Sequence, residues 1–345
     1  MRLCLRPAAP TGVPVENHTV IDLSVVIVSW NVSELLELCL SSLMECGGQG
    51  GLQCEIIVVD NASSDDSPEL VRQRFPTAQL IASESNLGFA MANNVGAAQS
   101  SGRYILFLNP DTEVIGDALS AMVAYMDRHP DVGVLGPTLL WPNGCVQSSR
   151  RRFPTLATAF IESTFFQQWW PSNPVLRRYY VQDQSDDREQ DVDWLVGACL
   201  LVRRQAWKQV GPMDERFFMY SEELDWCRRL KTAGWRVVYT PSAEVVHHGA
   251  QSSSQVAAER EIHFQSSKAL YFYKHHGARA GEVVRLFLLA TYVYKSCLEA
   301  AKWLLGHKRP LRRERLAAYR GLLRSGLRAQ ADVESSGAQA RRVRE

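Results

Sequence analysis

The sequence carries almost no net charge and has no closely spaced cysteine pairs. Its 38 Lys and Arg nearly balance its 37 Asp and Glu, which leaves a formal net charge of +1. No global field therefore selects an acidic partner. The eight cysteines lack the paired spacing of a metal site, and several stand in apolar segments, which is typical of reduced, buried thiols in a cytosolic protein. No internal repeat of fixed period is present, so nothing indicates a repeat architecture.

The first twenty residues also lack an apolar core, although they contain three prolines. We therefore expect no secretory signal there and a loose tail over residues 1–20. The length of 345 residues and the 46% hydrophobic content suit one large domain, predicted over 21–255, with an appended segment over 256–328. Residues 148–191 break the rhythm of strands and helices and predict an insertion on the acceptor side or a lid. Residues 329–345 are predicted to be disordered.

A strand that ends in a polar turn is the most informative segment. The apolar run Tyr104–Leu108 is typical of a buried parallel strand and stops at Asn109-Pro110-Asp111. Ligands of open α/β sheets bind where strands end. Asp111 would thus project into a crevice where a phosphate-bound metal can sit. The alternative is that an Asp after a proline only completes an ordinary turn.

Two strand-to-loop junctions of the same kind lie upstream, in Leu23–Asn31 and Glu55–Asp65, with a helical stretch over Glu34–Leu43 between them. A strand, a helix and a strand in this order form a right-handed parallel unit. The segment Asn86–Gly96 combines small residues with paired amides, which suggests a helix packed against a ligand. Together these segments predict an α/β fold with a mostly parallel sheet. Val192–Val202 predicts a further strand.

The block Met213–Leu230 places Ser221 before two acids and then an amphipathic helix. Ser221 is a natural N-cap, and Glu222 and Glu223 would fall in the first turn. One interpretation is structural, because acids in the first turn interact favourably with the helix dipole. That interpretation leaves unexplained the strand Gly234–Tyr239 that follows and leads to two adjacent histidines.

These elements, in this order, resemble glycosyltransferase family 2, the inverting sugar transferases. The likeness runs from about Leu23 to Ser254 and is strongest to the rhamnosyltransferase-like branch, in which the Asn-Pro-Asp-Thr motif is common. The resemblance implies a GT-A fold, with a Rossmann-like, mostly parallel central sheet flanked by helices, and here with a C-terminal helical extension. It also implies a nucleotide-sugar donor.

In the family pattern, the second residue of an acidic pair serves as the catalytic base. Carried over, the base is Glu223, where the family usually has Asp. Inversion is a single displacement in which the acceptor oxygen attacks the anomeric carbon while the nucleotide diphosphate leaves. A carboxylate must take the proton of the attacking hydroxyl and stay ionised at working pH.

The resemblance also implies a divalent metal, Mg²⁺ or Mn²⁺, bound to the diphosphate. Asp111 is the predicted carboxylate ligand and His247 the predicted histidine ligand, whereas a histidine pair at a strand end can also be a capping feature. Asp60 is expected to accept from the base imide or a ribose hydroxyl, or to make an Asx turn. The predicted nucleotide-sugar contacts are Ser29, Asn31, Asp60, Asn86, Asn93, Asn109 and Asp111. The predicted acceptor-side residues are Trp194, Asp214 and Glu222.

The stretch Arg285–Leu305 is long enough to cross a bilayer, but Lys295, Glu299 and Lys302 interrupt it. It suits an interfacial helix, and the basic residues after it would attract anionic lipid. The alternative is a helical pair packed on the catalytic domain. No recognised nucleic-acid motif accompanies the basic residues, so we expect no nucleic-acid partner. The expected location is cytoplasmic, peripheral on the inner face of the cell membrane.

The sequence thus predicts an inverting hexosyltransferase. Its acceptor would be a hydroxyl of a lipid-linked or cell-surface polysaccharide, and the branch suggests L-rhamnose from dTDP-rhamnose as the donor sugar. One alternative is a nucleotide-sugar-binding protein without turnover, which would need no base such as Glu223. Another is a different nucleotide-using α/β transferase, such as a nucleotidylyltransferase, whose glycine-rich basic signature is missing near the N-terminus.

Overall fold

The computed structural model describes residues 21–46, 51–249, 255 and 257–328. The predicted tails, 1–20 and 329–345, lie outside the described residues.

A parallel half-sheet forms the first part of the fold. Strands β1, β2, β3 and β4 are all parallel, in the order β3-β2-β1-β4. Every residue of β1 is buried, as expected for a strand covered on both faces. The elements are β1 (Leu23–Ser29), α1 (Ser33–Cys46), β2 (Cys54–Asp60), α2 (Ser67–Arg74), β3 (Gln79–Ala82), α3 (Phe89–Gln99) and β4 (Tyr104–Leu108).

The second half extends the same sheet in the order β4-β11-β6-β12-β5. Strand β11 runs antiparallel to both of its neighbours, while β12 runs parallel to β6. The carboxyl ends of β1, β2, β4 and β12 therefore meet at one edge. The elements are β5 (Thr112–Val114), α4 (Ala118–Arg128), β6 (Val132–Leu140), β7 (Val146–Gln147), β11 (Cys199–Arg203), α8 (Arg204–Val210), α9 (Glu222–Thr232) and β12 (Arg236–His247).

The predicted strand Val192–Val202 is wrong as a single strand. It is split into β10 (Trp194–Leu195) and β11, which belong to two different sheets. Gly197 lies in the break, and a Cβ built there would come within 3.7 Å of the Glu223 side chain. The break thus brings backbone beside the first turn of α9, which a continuous strand would not do.

Residues 148–191 are ordered, with two short strands and three short helices. The buried Arg150 pairs with Asp186, and Arg152 pairs with Asp183 at 3.0 Å. Two arginines of the basic triplet therefore hold the acidic run of the same segment. The elements are β8 (Arg150–Arg151), α5 (Leu156–Ile161), α6 (Phe165–Trp169), α7 (Pro174–Tyr179) and β9 (Gln190–Asp191).

The chain continues into three helices, α10 (Ala257–His276), α11 (Ala278–Leu304) and α12 (Arg309–Ser325). Buried side chains of all three share one hydrophobic cluster with the central sheet and α9. Among the described helices, none combines the length and the apolar character that crossing a bilayer requires.

Gly88 precedes α3 with φ 78° and ψ 178°, a backbone region that essentially only glycine adopts. A Cβ at this position would collide with the carbonyl oxygen of Phe218, whereas a Cβ at Gly144, at φ 81°, would meet nothing within 4 Å. We expect Gly144→Ala to lower the free energy of unfolding by about 1 kcal/mol. Gly88→Ala should cost about 1–3 kcal/mol more, through overpacking. Urea unfolding of both variants measures the difference, and equal losses would contradict the collision.

Candidate active site

Asp111 lies in the turn between β4 and β5 and is buried. Two backbone hydrogen bonds fix this turn at the sheet edge. Asn109 N donates to the carbonyl of Ala198 at 2.9 Å, and His248 N donates to the carbonyl of Asp111 at 2.9 Å. The turn is therefore tied both to the break before β11 and to the end of β12.

His247 ends β12 and comes to Asp111, as predicted. Its Nε2 lies 3.3 Å from Asp111 Oδ1, and its Nδ1 lies 2.6 Å from Gln147 Oε1. Since the amide oxygen can only accept, Nδ1 is the donor of this hydrogen bond, and Nε2 is the ring nitrogen that faces the carboxylate. His248 turns away to Glu113, at 2.6 Å.

The Asp111–His247 pair fits a divalent cation that is also held by a diphosphate. The described residues contain no group of three His, Cys, Asp or Glu side chains able to hold a metal alone. Mg²⁺ is usually bound by one or two carboxylates together with substrate phosphates and water. Asn109 lies beside the pair, with its Nδ2 3.5 Å from His247 Nε2. Its buried Oδ1 has no hydrogen-bond partner among the described residues. An unpaired oxygen of this kind suits a ligand or a bound water.

Ser29 and Asp60 end β1 and β2 and are register partners. Both are buried, and among the described residues Ser29 Oγ and Asp60 Oδ1 have no hydrogen-bond partner. The other oxygen of Asp60 accepts from Ser63 N at 3.1 Å, the Asx turn that was the alternative interpretation. Asn31, at φ 54°, accepts from Ser64 N at 2.7 Å and holds this loop. Two strand-end oxygens are thus left for a ligand.

The paired amides of α3 do not meet a ligand. Asn93 is buried and donates to the carbonyl of Phe89 in its own helix at 2.9 Å. Asn94 bonds the backbone N and O of Met213, each at 2.9 Å. Asn86, by contrast, lines the cleft that contains Asp111. Helix α3 therefore positions the segment before α9, and Asn86, just before this helix, is the asparagine at the cleft.

Ser221 occupies the N-cap position of α9, as predicted, but its side chain makes no capping hydrogen bond. Tyr220 and Ser221 are both left-handed, at φ 69° and 65°. Such conformations cost about 1–3 kcal/mol each and are concentrated at functional sites. Here the sharp turn delivers two glutamates of the first turn of α9 into the cleft.

Glu222 and Glu223 are both buried, and each leaves one carboxyl oxygen without a hydrogen-bond partner. Burial raises the pKa of both carboxyls, and the charge of Glu223 raises the pKa of Glu222 further. Backbone N–H groups of Gly197, Glu223 and Leu224 oppose the rise at Glu223. The pKa of Glu222 is thus raised well above its ordinary value, whereas backbone donors limit the rise at Glu223, so Glu223 is the member of the pair that gives up its proton more readily.

One cleft of about 260 Å³ collects these groups. We call it the main cleft. Of the predicted site residues, it contains the metal-ligand pair, both glutamates of α9 and two asparagines. It is lined by, among others, Asn86, Asn109, Asp111, Glu222, Glu223 and His247, together with Trp30 and Tyr220, which the sequence did not indicate.

A second cavity of about 290 Å³, the inner cavity, adjoins the main cleft and shares Tyr220 and Glu223 with it. Its wall is aromatic and cationic. The Arg151 guanidinium lies 4.6 Å from the Tyr180 ring centre and 5.9 Å from that of Trp194. Aromatic faces and a planar donor of this kind suit a sugar.

Among the predicted acceptor-side residues, Trp194 and Glu222 line these cavities. Asp214 is not among the described residues that line the two cavities. It pairs with Arg216 and Lys274, each at 2.6 Å. Burial raises the pKa of Asp214, but the hydrogen bonds from Arg216 and Lys274 outweigh this effect and hold the pKa well below its ordinary value. Asp214 is thus part of an ion-pair network that joins α10 to the segment before α9.

Arg151, Tyr180 and Gln147 were missed by sequence reasoning. Gln147 lies 100 residues from the histidine that it orients, and no local motif links the two. Arg151 is the middle residue of the basic triplet. Successive side chains of a strand point to opposite sides, and Arg150 and Arg152 point to the acidic run, so the alternation could have placed Arg151 on the other side.

Residues 24–211 match the sequence profile of "Glycosyl transferase family 2". An N-acetylglucosaminyl-diphospho-decaprenol L-rhamnosyltransferase of Mycobacterium tuberculosis is 35% identical over 267 residues, covering 74% of this chain and 85% of that protein. The rhamnosyltransferase WbbL of Escherichia coli is 29% identical over 169 residues, covering 47% of this chain and 61% of that protein.

Solved structures share the fold at low sequence identity. A mannosyltransferase from Pyrobaculum calidifontis, in complex with GDP-Man and Mn²⁺, matches with a TM-score of 0.51 and 15% identity over 90% of this chain and 86% of that chain. GalNAc-T7 with UDP, GalNAc and Mn²⁺ matches with a TM-score of 0.51 and 16% identity over 66% of this chain and 43% of that chain.

Proposed function

Since this chain belongs to glycosyl transferase family 2 and is a hexosyltransferase with the GT-A fold, as the sequence predicted, we propose that it is an inverting enzyme acting on a lipid-linked acceptor. The observation that carries the proposal is that Glu223 lines the same cleft as the Asp111–His247 pair. A nucleotide-sugar-binding protein without turnover would need only the second of these features.

Glu223 is the proposed base. Its carboxylate stands where the main cleft meets the inner cavity, so a donor sugar on one side and an acceptor hydroxyl on the other can approach it. As the hydroxyl oxygen forms its bond to the anomeric carbon, its proton passes to Glu223 and the bond to the diphosphate breaks. The raised pKa makes Glu223 a stronger base than an exposed glutamate, which favours proton transfer near neutral pH.

Asp111 and His247 are the proposed protein ligands of Mg²⁺ or Mn²⁺. A bound divalent ion would neutralise the charge that develops on the leaving diphosphate. Gln147 fixes the histidine tautomer, so that Nε2 faces Asp111. Such outer-shell partners normally set ligand orientation and basicity. Both solved neighbours described above contain Mn²⁺.

For the donor we propose dTDP-L-rhamnose, because two of the relatives described above are named rhamnosyltransferases. Ser29 and Asp60 would contact the nucleoside at the ends of β1 and β2, and Asn86 and Asn109 would contact the donor in the main cleft. Incubating the purified protein with a panel of dTDP-, UDP- and GDP-sugars and a prenyl-diphosphate-linked N-acetylglucosamine tests the proposal. Donor hydrolysis without transfer to any acceptor would contradict it.

We place the catalytic domain at 21–255, with residues 148–191 on its acceptor side and residues 256–328 as an extension that meets the membrane. Helix α11 supports the last point. Two of its charges face the protein: Lys295 Nζ donates to the carbonyl of Ser163 at 3.3 Å, and the buried Glu299 pairs with Arg312 at 2.7 Å. They do not interrupt the outer face.

From Val283 to Leu304 that outer face, the α11 stripe, is apolar and repeats at helical spacing. Trp169 and Trp170, exposed by 66% and 58%, lie at the end of α6, and the Trp169 ring centre is 6.3 Å from that of Tyr294 on α11. Tryptophans of this kind are enriched at membrane interfaces. The stripe consists of Val283, Leu286, Ala290, Val293, Cys297, Ala301 and Leu304, all exposed.

We expect the protein to sediment with vesicles containing phosphatidylglycerol and to be partly released by high salt, because salt screens the attraction of basic residues to anionic lipid. The double substitution Leu286→Gln and Val293→Gln should weaken partitioning by about tenfold or more, since each side chain loses about 1 kcal/mol of apolar burial. The matched control is Leu38→Gln, because Leu38 is similarly exposed on α1.

Point substitutions are preferred to truncation here because α11 also buries Val284, Leu288 and Tyr292 in the shared core. Equal sedimentation of the double variant and the wild type, or no sedimentation of either, would contradict a membrane role for the stripe.

A further inference from the structure

A third cavity, of about 640 Å³, lies beyond the inner cavity and shares Ser163, Tyr220 and Phe264 with it. We call it the outer cavity. It is bounded by α6, α10 and α11, so its wall includes the helix that carries the apolar stripe. The main cleft, inner cavity and outer cavity therefore form a continuous series from the Asp111–His247 pair to α11.

The outer cavity is cationic. Arg260 and Lys295 line it, and the ion pairs of the described residues include neither of them. By contrast, Lys268, which lines the inner cavity, is paired with Glu162 at 2.8 Å. The carboxylate of the outer cavity, Glu261, accepts hydrogen bonds from Tyr292 Oη and from Gln265 Nε2. Both donors bond the same oxygen, Oε1, so two cations face one carboxylate that is already partly engaged.

Lys295 is held in this position. Its Nζ bonds the carbonyl of Ser163 and lies 4.6 Å from the Tyr292 ring centre. Burial lowers the pKa of Lys295 from its ordinary value. A partly desolvated ammonium without an ion-pair partner gains more from a bound anion than an exposed lysine does.

Given the proposed function, on which this inference rests, we propose that the outer cavity binds the diphosphate of a prenyl-diphosphate-linked acceptor through Lys295 and Arg260. The acceptor sugar then occupies the inner cavity, against the wall formed by Arg151, Tyr180 and Trp194, with its attacking hydroxyl at Glu223. The prenyl chain leaves along the apolar stripe of α11. One substrate thereby accounts for an aromatic cavity, a cationic cavity and an apolar surface in this order.

Direct binding tests the diphosphate site without relying on turnover. In the presence of a chelator, so that no metal-bound diphosphate enters the main cleft, the wild type should bind farnesyl diphosphate more tightly than farnesol. Lys295→Met should weaken farnesyl diphosphate binding by about tenfold, and the double variant with Arg260→Met by about a hundredfold, since each charge-assisted hydrogen bond contributes about 1.5–3 kcal/mol. Farnesol binding should not change.

Lys302→Met is the matched control, because Lys302 is an exposed lysine of the same helix that does not line the outer cavity. In transfer assays, the Lys295 and Arg260 variants should raise KM for farnesyl-diphosphate-linked N-acetylglucosamine and leave KM for a farnesyl glycoside of the same sugar unchanged. Equal effects on both acceptors, or unchanged farnesyl diphosphate binding, would overturn the diphosphate site. Absence of transfer by the wild type would overturn the proposed function instead, and the binding result would still decide the site.

Discussion

Glu223→Gln should lower the rate of sugar transfer by about 10²- to 10⁴-fold, the usual contribution of a general base. The amide preserves the size of the side chain but cannot take the proton of the acceptor hydroxyl. Affinity for the nucleotide-sugar donor should stay within about twofold of the wild type, since general-base catalysis acts on the reacting hydroxyl and not on donor binding. Single-turnover transfer and calorimetric donor binding measure the two effects separately.

Glu222→Gln is the matched control because Glu222 is the other buried carboxyl of the pair, with a pKa raised well above its ordinary value. An amide replaces this carboxyl with the loss of at most one hydrogen bond, so transfer should fall by less than about tenfold. The wild-type rate should also decline as pH falls through the raised pKa of Glu223, above the ordinary range of glutamate. Near-normal turnover of Glu223→Gln, or a larger loss in Glu222→Gln, would contradict the assignment of the base.

Asp111→Asn should raise the Mn²⁺ concentration needed for half-maximal activity by at least about 10- to 100-fold. That range is typical for the loss of an outer-shell partner, and removal of a charged ligand should cost no less. The substitution keeps the shape of the turn and its backbone hydrogen bonds to Ala198 and His248. Calorimetric binding of Mn²⁺ with the nucleoside diphosphate of the donor gives a second readout that does not depend on turnover.

Glu113→Gln is the control for Asp111→Asn. Glu113 lies two residues away, pairs with His248 and is not among the residues that line the main cleft. The Glu113→Gln substitution removes the same charge from a position next to the turn. A general electrostatic effect would therefore appear in both variants. An unchanged Mn²⁺ requirement in Asp111→Asn would exclude Asp111 as a ligand.

The proximity of Asp111 and His247 could be predicted from the sequence because the positions of strand ends are set locally. An apolar run that stops at Asn-Pro-Asp fixes where Asp111 projects, and a strand that ends at His247 brings the imidazole to the same edge if the strands are parallel. Asn93 was misjudged because its position in α3 does not say which face of the helix meets the cleft. Its amide is satisfied one turn back, at Phe89.

The inner and outer cavities could not be predicted, because their walls come from distant parts of the chain. Arg151 and Tyr180 line the inner cavity and Lys295 lines the outer one, so the walls combine residues 148–191 with the C-terminal helices. In the linear sequence, Lys295 and Glu299 interrupt an apolar run. A helical projection would have shown that they lie off the stripe, since Leu286, Ala290, Val293 and Cys297 repeat at three- and four-residue intervals without them.

The ties between α9 and the C-terminal helices also bear on how the molecule unfolds. Asp225, with no exposed surface, contacts Lys274 Nζ at 2.7 Å and His275 Nε2 at 2.6 Å, and α10 to α12 share a hydrophobic cluster with the sheet. The C-terminal helices cannot detach without exposing the hydrophobic core that they share with the sheet. The helices and the sheet therefore unfold in one cooperative step. The sequence composition changes near residue 255, but no unfolding boundary is expected there. Helix α9, which carries Glu223, and the C-terminal helices should unfold together.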